Sequence, residues 1–184
     1  MSGPVGDNTA RASGVVAAAG GGAILQVKAV QVTSTISAGS GSSPVAISAF
    51  DIAFTPTADN SVLCLQLSLS GSPDNQAMGG FFYDSTGGAK IMPYGDAGSP
   101  RQRLTFGPTG ESTGSCMINT NYTAWFTPGD TTTRTIQVHA AAQSSTALYV
   151  NRTYNDSSAS GIYNARSAST FTITEYDGSI VTVS

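Results

Sequence analysis

The sequence predicts an all-β protein, a jelly-roll-like antiparallel β-sandwich with an extended N-terminal arm. Three observations predict it. The stretch SVLCLQLSLS places Leu63, Leu65, Leu67 and Leu69 on one face and Cys64, Gln66 and Ser68 on the other, a period of two that belongs to a half-buried strand. Charged residues make up 10% of the chain, against the usual quarter, and Ser, Thr, Gly and Ala take their place. Small hydroxyl residues disfavour helices and suit strands and turns. Turn signals recur about every 8–12 residues, the spacing of a sandwich or jelly roll.

Residues 1–22, MSGPVGDNTARASGVVAAAGGG, carry few large apolar groups and cannot pack a core of their own. They are predicted to form an arm that orders only against a neighbour, with Val15 to Ala19 as its stickiest part and glycines 20–22 as a hinge. Residues 23–178 form the sandwich domain, and residues 179–184 a C-terminal strand or tail. ILQVKAVQV (24–32) alternates and SGSGSSP marks a loop. VAISAFDIAF (45–54) reads as one strand, closed by the turn TPTADN. The four leucines of 61–70 must meet a second sheet.

GSPDNQ is a turn cluster. GGFFYD (79–84) and AKIMPY (89–94) read as a hairpin joined by Ser85 to Gly88. RQRLTFG (101–107) is a strand with Leu104 and Phe106 as core candidates, followed by CMINTNYTAWF (116–126) and RTIQVHAAA (134–142). ALYVNRTY and STFTITEY read as the two strands of a closing hairpin, with Arg152 and Arg166 at the ends of the segment between them. SIVTVS (179–184) is predicted to add one more strand, paired at an edge or with a neighbouring subunit. The total is nine or ten short strands, no helix and no internal repeat.

The net charge is −3. So weakly charged a surface points to cover by copies of the chain or by a partner. A pI of about 4.8 and eight scattered basic residues argue against nucleic acid. No apolar run reaches the ~18 residues needed to span a bilayer, so no membrane is expected, and no signal-peptide pattern opens the chain. Release by cell lysis would fit that reading.

The chain carries no catalytic signature. Cys64 and Cys116 lie in predicted strands without CxxC or Cys/His spacing, so zinc is not expected and both read as buried thiols. A disulfide between them is not legible from sequence. His139, the single histidine, has no nucleophile elbow to serve and reads as a strand histidine. Glu111 and Glu175 are the one conceivable glycosidase pair, but neither has an aromatic platform nearby for a sugar. The aspartates mark turns and form no calcium loop. No cofactor, metal or catalytic residue is expected, and the chain is not read as an enzyme. Lysine is nearly absent while arginine recurs. Arg101, Arg103, Arg152 and Arg166 are therefore assigned to pairing between subunits, with Asp96, Asp156 or Asp177 as partners. The plainer alternative is surface ion pairs of little worth.

Four segments carry a resemblance: GDNTARASGVVAAAGGGAILQV, IAFTPTADNSVLCLQLSLSG, GDAGSPRQRLTFG, and LYVNRTYND followed by NARSASTFTITEYDG. In order and spacing, over most of its length, the chain is similar to small virion structural proteins of tailed bacteriophages, of the kind found in phages of cyanobacteria and marine bacteria. It departs from them in the added residues Asp177 to Ser184. The resemblance implies a β-sandwich on the virion, assembled as a homotrimer. The expectation is a capsid cement (decoration) protein whose arm, through Asn8, Arg11, Val15 and Val16, clamps the major capsid protein shell. The alternative is a tail-fibre or receptor-binding module that reads host glycans through Tyr154–Tyr163 and Asn119–Tyr122.

Overall fold

A computed structural model describes residues 23–40, 43–73, 77–91, 94–96, 102–110, 116–143, 147–156 and 166–183. The predicted arm, with Asn8, Arg11, Val15 and Val16, lies outside the described residues, as do Arg101 and Glu111.

Strand pairing sorts the described chain into eight lines in two facing sheets. The first sheet begins with β1 (Ile24–Val32) and β2 (Ile36–Ser40), which follow one another along an edge. Beside them run β11 (Ala147–Val150) and β12 (Ser169–Tyr176), then β5 (Val62–Ser72), then β9 (Ile118–Phe126). In the second sheet β3 (Val45–Ala46) and β4 (Ile52–Phe54) pair with β10 (Arg134–Ala142), which pairs with β6 (Ala77–Asp84). On the other side of β6, β7 (Ala89–Lys90) and β8 (Phe106–Gly110) follow one another along one line. Numbered in chain order, the lines run 1-8-3-6 in one sheet and 2-7-4-5 in the other. That interleaving of two antiparallel four-line sheets is a jelly roll. One parallel pair, Ala141 with Gly39, joins the sheets at a corner.

The leucine alternation decides which way β5 faces. Leu63, Leu65, Leu67 and Leu69 are all buried between the sheets, while Gln66 is exposed on the outer side. From the second sheet Phe82 on β6 meets Phe171 on β12 at 5.4 Å, nearly parallel. Phe50, Phe54, Ile136 and Val138 complete this layer. Each buried Phe or Leu contributes about 1.5–3 kcal/mol by leaving water.

Four elements differ from the sequence expectation. The pattern in 45–54 is broken by a 3-10 turn at Ser48–Phe50. Ile47 and Phe50 are both buried, yet an odd spacing would put them on opposite faces of a straight strand, and the turn brings both inward. β8 starts at Phe106, later than expected, and Phe106 is buried while Leu104 is half-buried. Residues 179–183 form a turn followed by irregular chain and pair with no described strand of this chain.

The fourth difference concerns the expected closing hairpin. β11 and β12 do not pair along their length. They lie end to end on the same side of β5, Tyr149 opposite Ser72 and Thr170 opposite Ser68. Between β11 and β12 the chain leaves this one line in an excursion whose two ends meet at a single antiparallel bridge between Arg152 and Arg166. The β6–β7 hairpin forms as expected, with Tyr83 opposite Lys90 across residues 85–88.

Close backbone approach fixes two glycines. A Cβ on Gly80 would stand 2.0 Å from the carbonyl oxygen of His139, and Gly107 has φ +84 with its Cβ position 2.5 Å from the Met78 carbonyl. Gly80→Ala must push β6 from β10. It is expected to destabilise by about 2–3 kcal/mol, measured as a lower urea midpoint at unchanged slope.

Candidate functional site

The outward-facing surface and the neck of the excursion carry the residues singled out in the sequence. Arg152 stacks on Tyr149, its guanidinium carbon 3.9 Å from the ring centre, and donates to the carbonyls of Thr153 (3.1 Å) and Tyr154 (3.3 Å). Its Nη1 lies 3.8 Å from Asp156, and Arg166 reaches the same carboxylate at 3.2 Å. Asp156 has φ 34, a left-handed conformation that Asp tolerates better than most residues. Within the chain, then, one carboxylate gathers both arginines. Arg166 remains mostly exposed, and such pairs contribute little to stability.

Arg103 lies elsewhere, on the segment after β7. Its Nε donates to the Gly95 carbonyl at 2.7 Å and its guanidinium stacks on Tyr94 at 4.1 Å. Lys90 stands over Phe81 at 4.2 Å and donates to the Arg103 carbonyl at 3.4 Å. The structure therefore brings Arg152 and Arg166 together and places Arg103 apart from them.

Of the three residues weighed for catalysis, Glu111 lies outside the described residues, and Glu175 and His139 are held by neighbours within the sandwich. The Glu175 side chain points inward at the end of β12 and is fully buried. It accepts from Ser61 Oγ (2.5 Å), Thr57 N (2.6 Å), Thr57 Oγ1 (2.8 Å) and Gln26 Nε2 (2.6 Å). Burial alone would raise its pKa, but the hydrogen bonds from Ser61, Thr57 and Gln26 outweigh it and hold the carboxyl below its usual range. A general acid needs the opposite shift. His139 stacks on Phe81 (5.1 Å) and packs at a tilt against Tyr83 (4.8 Å), with Nε2 3.2 Å from Gln137 Oε1. Burial holds it below the ordinary histidine range. Among the described residues no group of His, Cys, Asp or Glu could hold a metal ion. The Cys64 thiol is buried, which pushes its pKa up.

Two surface features come from the fold, although Asn121 and Tyr122 beside the first belong to the Asn119–Tyr122 segment read for glycan contact, which lies within β9. The first is a shallow depression of about 390 Å³ on the outer face of the first sheet. Gln66, Ser68, Asn121, Thr123, Thr170 and Thr172 line it with hydroxyls and amides. The TFTITE alternation in β12 already puts the threonines on one side, but not whether that side is open. The second is an apolar corner. Ile24, Leu25 and Val27 on β1 are 52%, 40% and 56% exposed, and Ile180 and Val183 of the tail 56% and 46%. Asp177 N donates to Ala23 O at 2.8 Å, so the described chain begins beside the end of β12. Trp125 and Tyr176, 5.6 Å apart, continue the outer face beside it.

No protein-family model matches the chain, and no curated protein matches it. Among solved structures it is similar to that of the infectious bursal disease virus Gx strain, at 11% identity over 81% of this chain and TM-score 0.43. It is also similar to the VP2 subviral particle of the same virus, at 12% identity over 82% of this chain and TM-score 0.41. The chain spans about a third of the length of those chains, 32% in both cases. With TM-scores below 0.5 the fold assignment rests on the strand pairing itself.

Proposed function

We propose that the chain is a virion structural protein of a tailed bacteriophage, working as a trimeric capsid cement (decoration) protein on the major capsid protein shell. The observation that carries this reading is the apolar corner at the ends of the described chain, on a weakly charged jelly roll. Isolated exposed aliphatics are ordinary, but a cluster on a surface with so few charges marks a contact. Viral capsid domains are among the users of this fold, and fold by itself does not fix function. The carboxylate and histidine that could have argued for chemistry are spent on holding the sandwich together.

In this reading residues 1–22 clamp adjacent shell subunits through Asn8, Arg11, Val15 and Val16. Ordering them costs about 1–2 kcal/mol per residue, so the clamp must bury much of its length, and three arms per trimer add avidity. The test is deletion of residues 2–20. Shell occupancy at a fixed protein concentration is expected to fall at least tenfold in a pelleting assay. Undiminished coating would overturn the clamp.

A second reading is a tail-fibre or receptor-binding module. It is favoured by the hydroxyl- and amide-lined depression and by the Tyr149–Arg152–Tyr154 group at the neck, because Tyr, Ser and Asn suit adaptable polar recognition. Copy number separates the two readings: hundreds per particle support cement, a handful supports a fibre. Pairing of Arg101, Arg103, Arg152 and Arg166 across subunits stays part of the cement proposal. For Arg152 and Arg166 it requires Asp156 to be shared with, or exchanged for, a neighbour's carboxylate.

A further inference from the structure

We propose that the apolar corner at Ile24, Leu25, Val27, Ile180 and Val183 is the seat for residues 15–19 of a neighbouring copy of this chain. The inference rests on the self-assembly part of the reading above and names the contact that would join the copies; it takes Val15 and Val16 for that contact and leaves the shell clamp to the residues before them, with Asn8 and Arg11.

The seat lies beside the point where the described chain begins. The described chain begins at Ala23, hydrogen-bonded to Asp177, one residue before the exposed part of β1. The apolar run VVAAA ends four residues before that point, with Gly20 to Gly22 between. From Val15 to Ala23 are eight residues, which extended cover about 28 Å. When copies close around an axis near this corner, each VVAAA run falls beside the next copy's seat, a heterologous contact that closes into a ring. Two Val side chains and three Ala suit a surface of exposed aliphatic groups.

Lys28 Nζ donates to Ala53 O and Gln26 Nε2 to Thr55 O, both at 2.7 Å, so these side chains of β1 face the second sheet. The exposed side chains Leu25 and Val27 point off the other face, where a neighbour can reach them. A run folded back on its own chain is the outcome that the cross-link below distinguishes.

The test uses the full chain. Val16→Asp in the run and Val27→Asp in the seat are each expected to raise the dissociation constant of self-association at least tenfold by sedimentation. Combining them should add little further. Val45→Asp, at a 43% exposed site away from the corner, is the control and should change nothing. Unchanged thermal midpoints show that the variants fold. In a Cys116→Ser background, a chain with Val16→Cys mixed with one carrying Val27→Cys should form a disulfide between chains. A disulfide found only within a chain bearing both cysteines, or none at all, overturns the proposal. If the chain is multimeric but the cross-link fails, the contact is wrong while the assembly reading stands. A chain that stays monomeric at all concentrations and leaves shells bare overturns both.

Discussion

Glu175→Gln is expected to destabilise the sandwich by about 3–4 kcal/mol, read from urea unfolding at neutral pH. The carboxylate holds three segments at one end of the barrel-like edge: β12 itself, Gln26 on β1, and Thr57 and Ser61 in the connection from β4 to β5. Hydrogen bonds to a charged group contribute about 1.5–3 kcal/mol, and donors left unsatisfied in a buried place cost about 1–3 kcal/mol more. Glutamine keeps one acceptor oxygen but turns its own N–H groups toward donors. The substitution also reports on pH. Because the folded pKa lies below the unfolded value of about 4.3, the stabilisation is complete above that value and fades as the pH falls through the folded pKa. The wild-type chain is expected to lose stability on acidification below about pH 4.3, and Glu175→Gln to lose less over the same interval. An equal acid slope in both proteins would remove Glu175 from the account.

What the sequence could reveal follows from what periodicity measures. It reports which face of a strand meets apolar surroundings, so β5, β9, β10 and β12 were all legible, and with them an all-β sandwich. It does not report partners. ALYV and STFTITEY each look like half of a hairpin because local alternation is identical in a hairpin and in one interrupted line. Their separation along β5 is fixed by the opposing register of Ser72 and Ser68, which no local pattern contains. Glu175 was equally hidden. A lone glutamate near a strand end normally faces water, and its burial depends on Thr57 and Ser61 more than a hundred residues away. The apolar corner is half legible: alternation in β1 shows two apolar-bearing faces, but exposure depends on no strand covering the outer one. The arginines show the same limit. Their recurrence is plain in the sequence, while the gathering of Arg152 and Arg166 on Asp156 comes from the excursion's closure.

That closure depends on Asn151, and its substitution gives the second large expected effect. Asn151 is fully buried with φ 61, where the line of β11 turns out into the excursion. Its Nδ2 donates to Val32 O at 2.8 Å and Ser34 O at 3.0 Å, fastening the bend between β1 and β2. Its Oδ1 accepts from Ser169 Oγ at 2.6 Å, and that hydroxyl accepts from Ser70 N at 3.0 Å. Backbone bonds run from Asn151 N to Ser70 O and from Ser167 N to Asn151 O. One side chain thus joins both ends of the excursion to β5 and to the first edge line. Asn151→Ala removes three side-chain bonds, strands buried partners, and keeps a left-handed backbone that costs a Cβ-bearing residue about 1–2 kcal/mol. The expected loss is about 3–4 kcal/mol. Asn151→Gly removes the same bonds without the backbone cost, and the expected loss is about 1 kcal/mol smaller. If the two variants lose equal stability, the left-handed backbone is not being held by the side chain. Both should also loosen the neck, so that trypsin cuts after the exposed Arg166 faster than in the wild type under native conditions, while the bulk of the sandwich stays resistant. Cutting at an unchanged rate, with stability lost all the same, would place Asn151 in the core but not in control of the excursion.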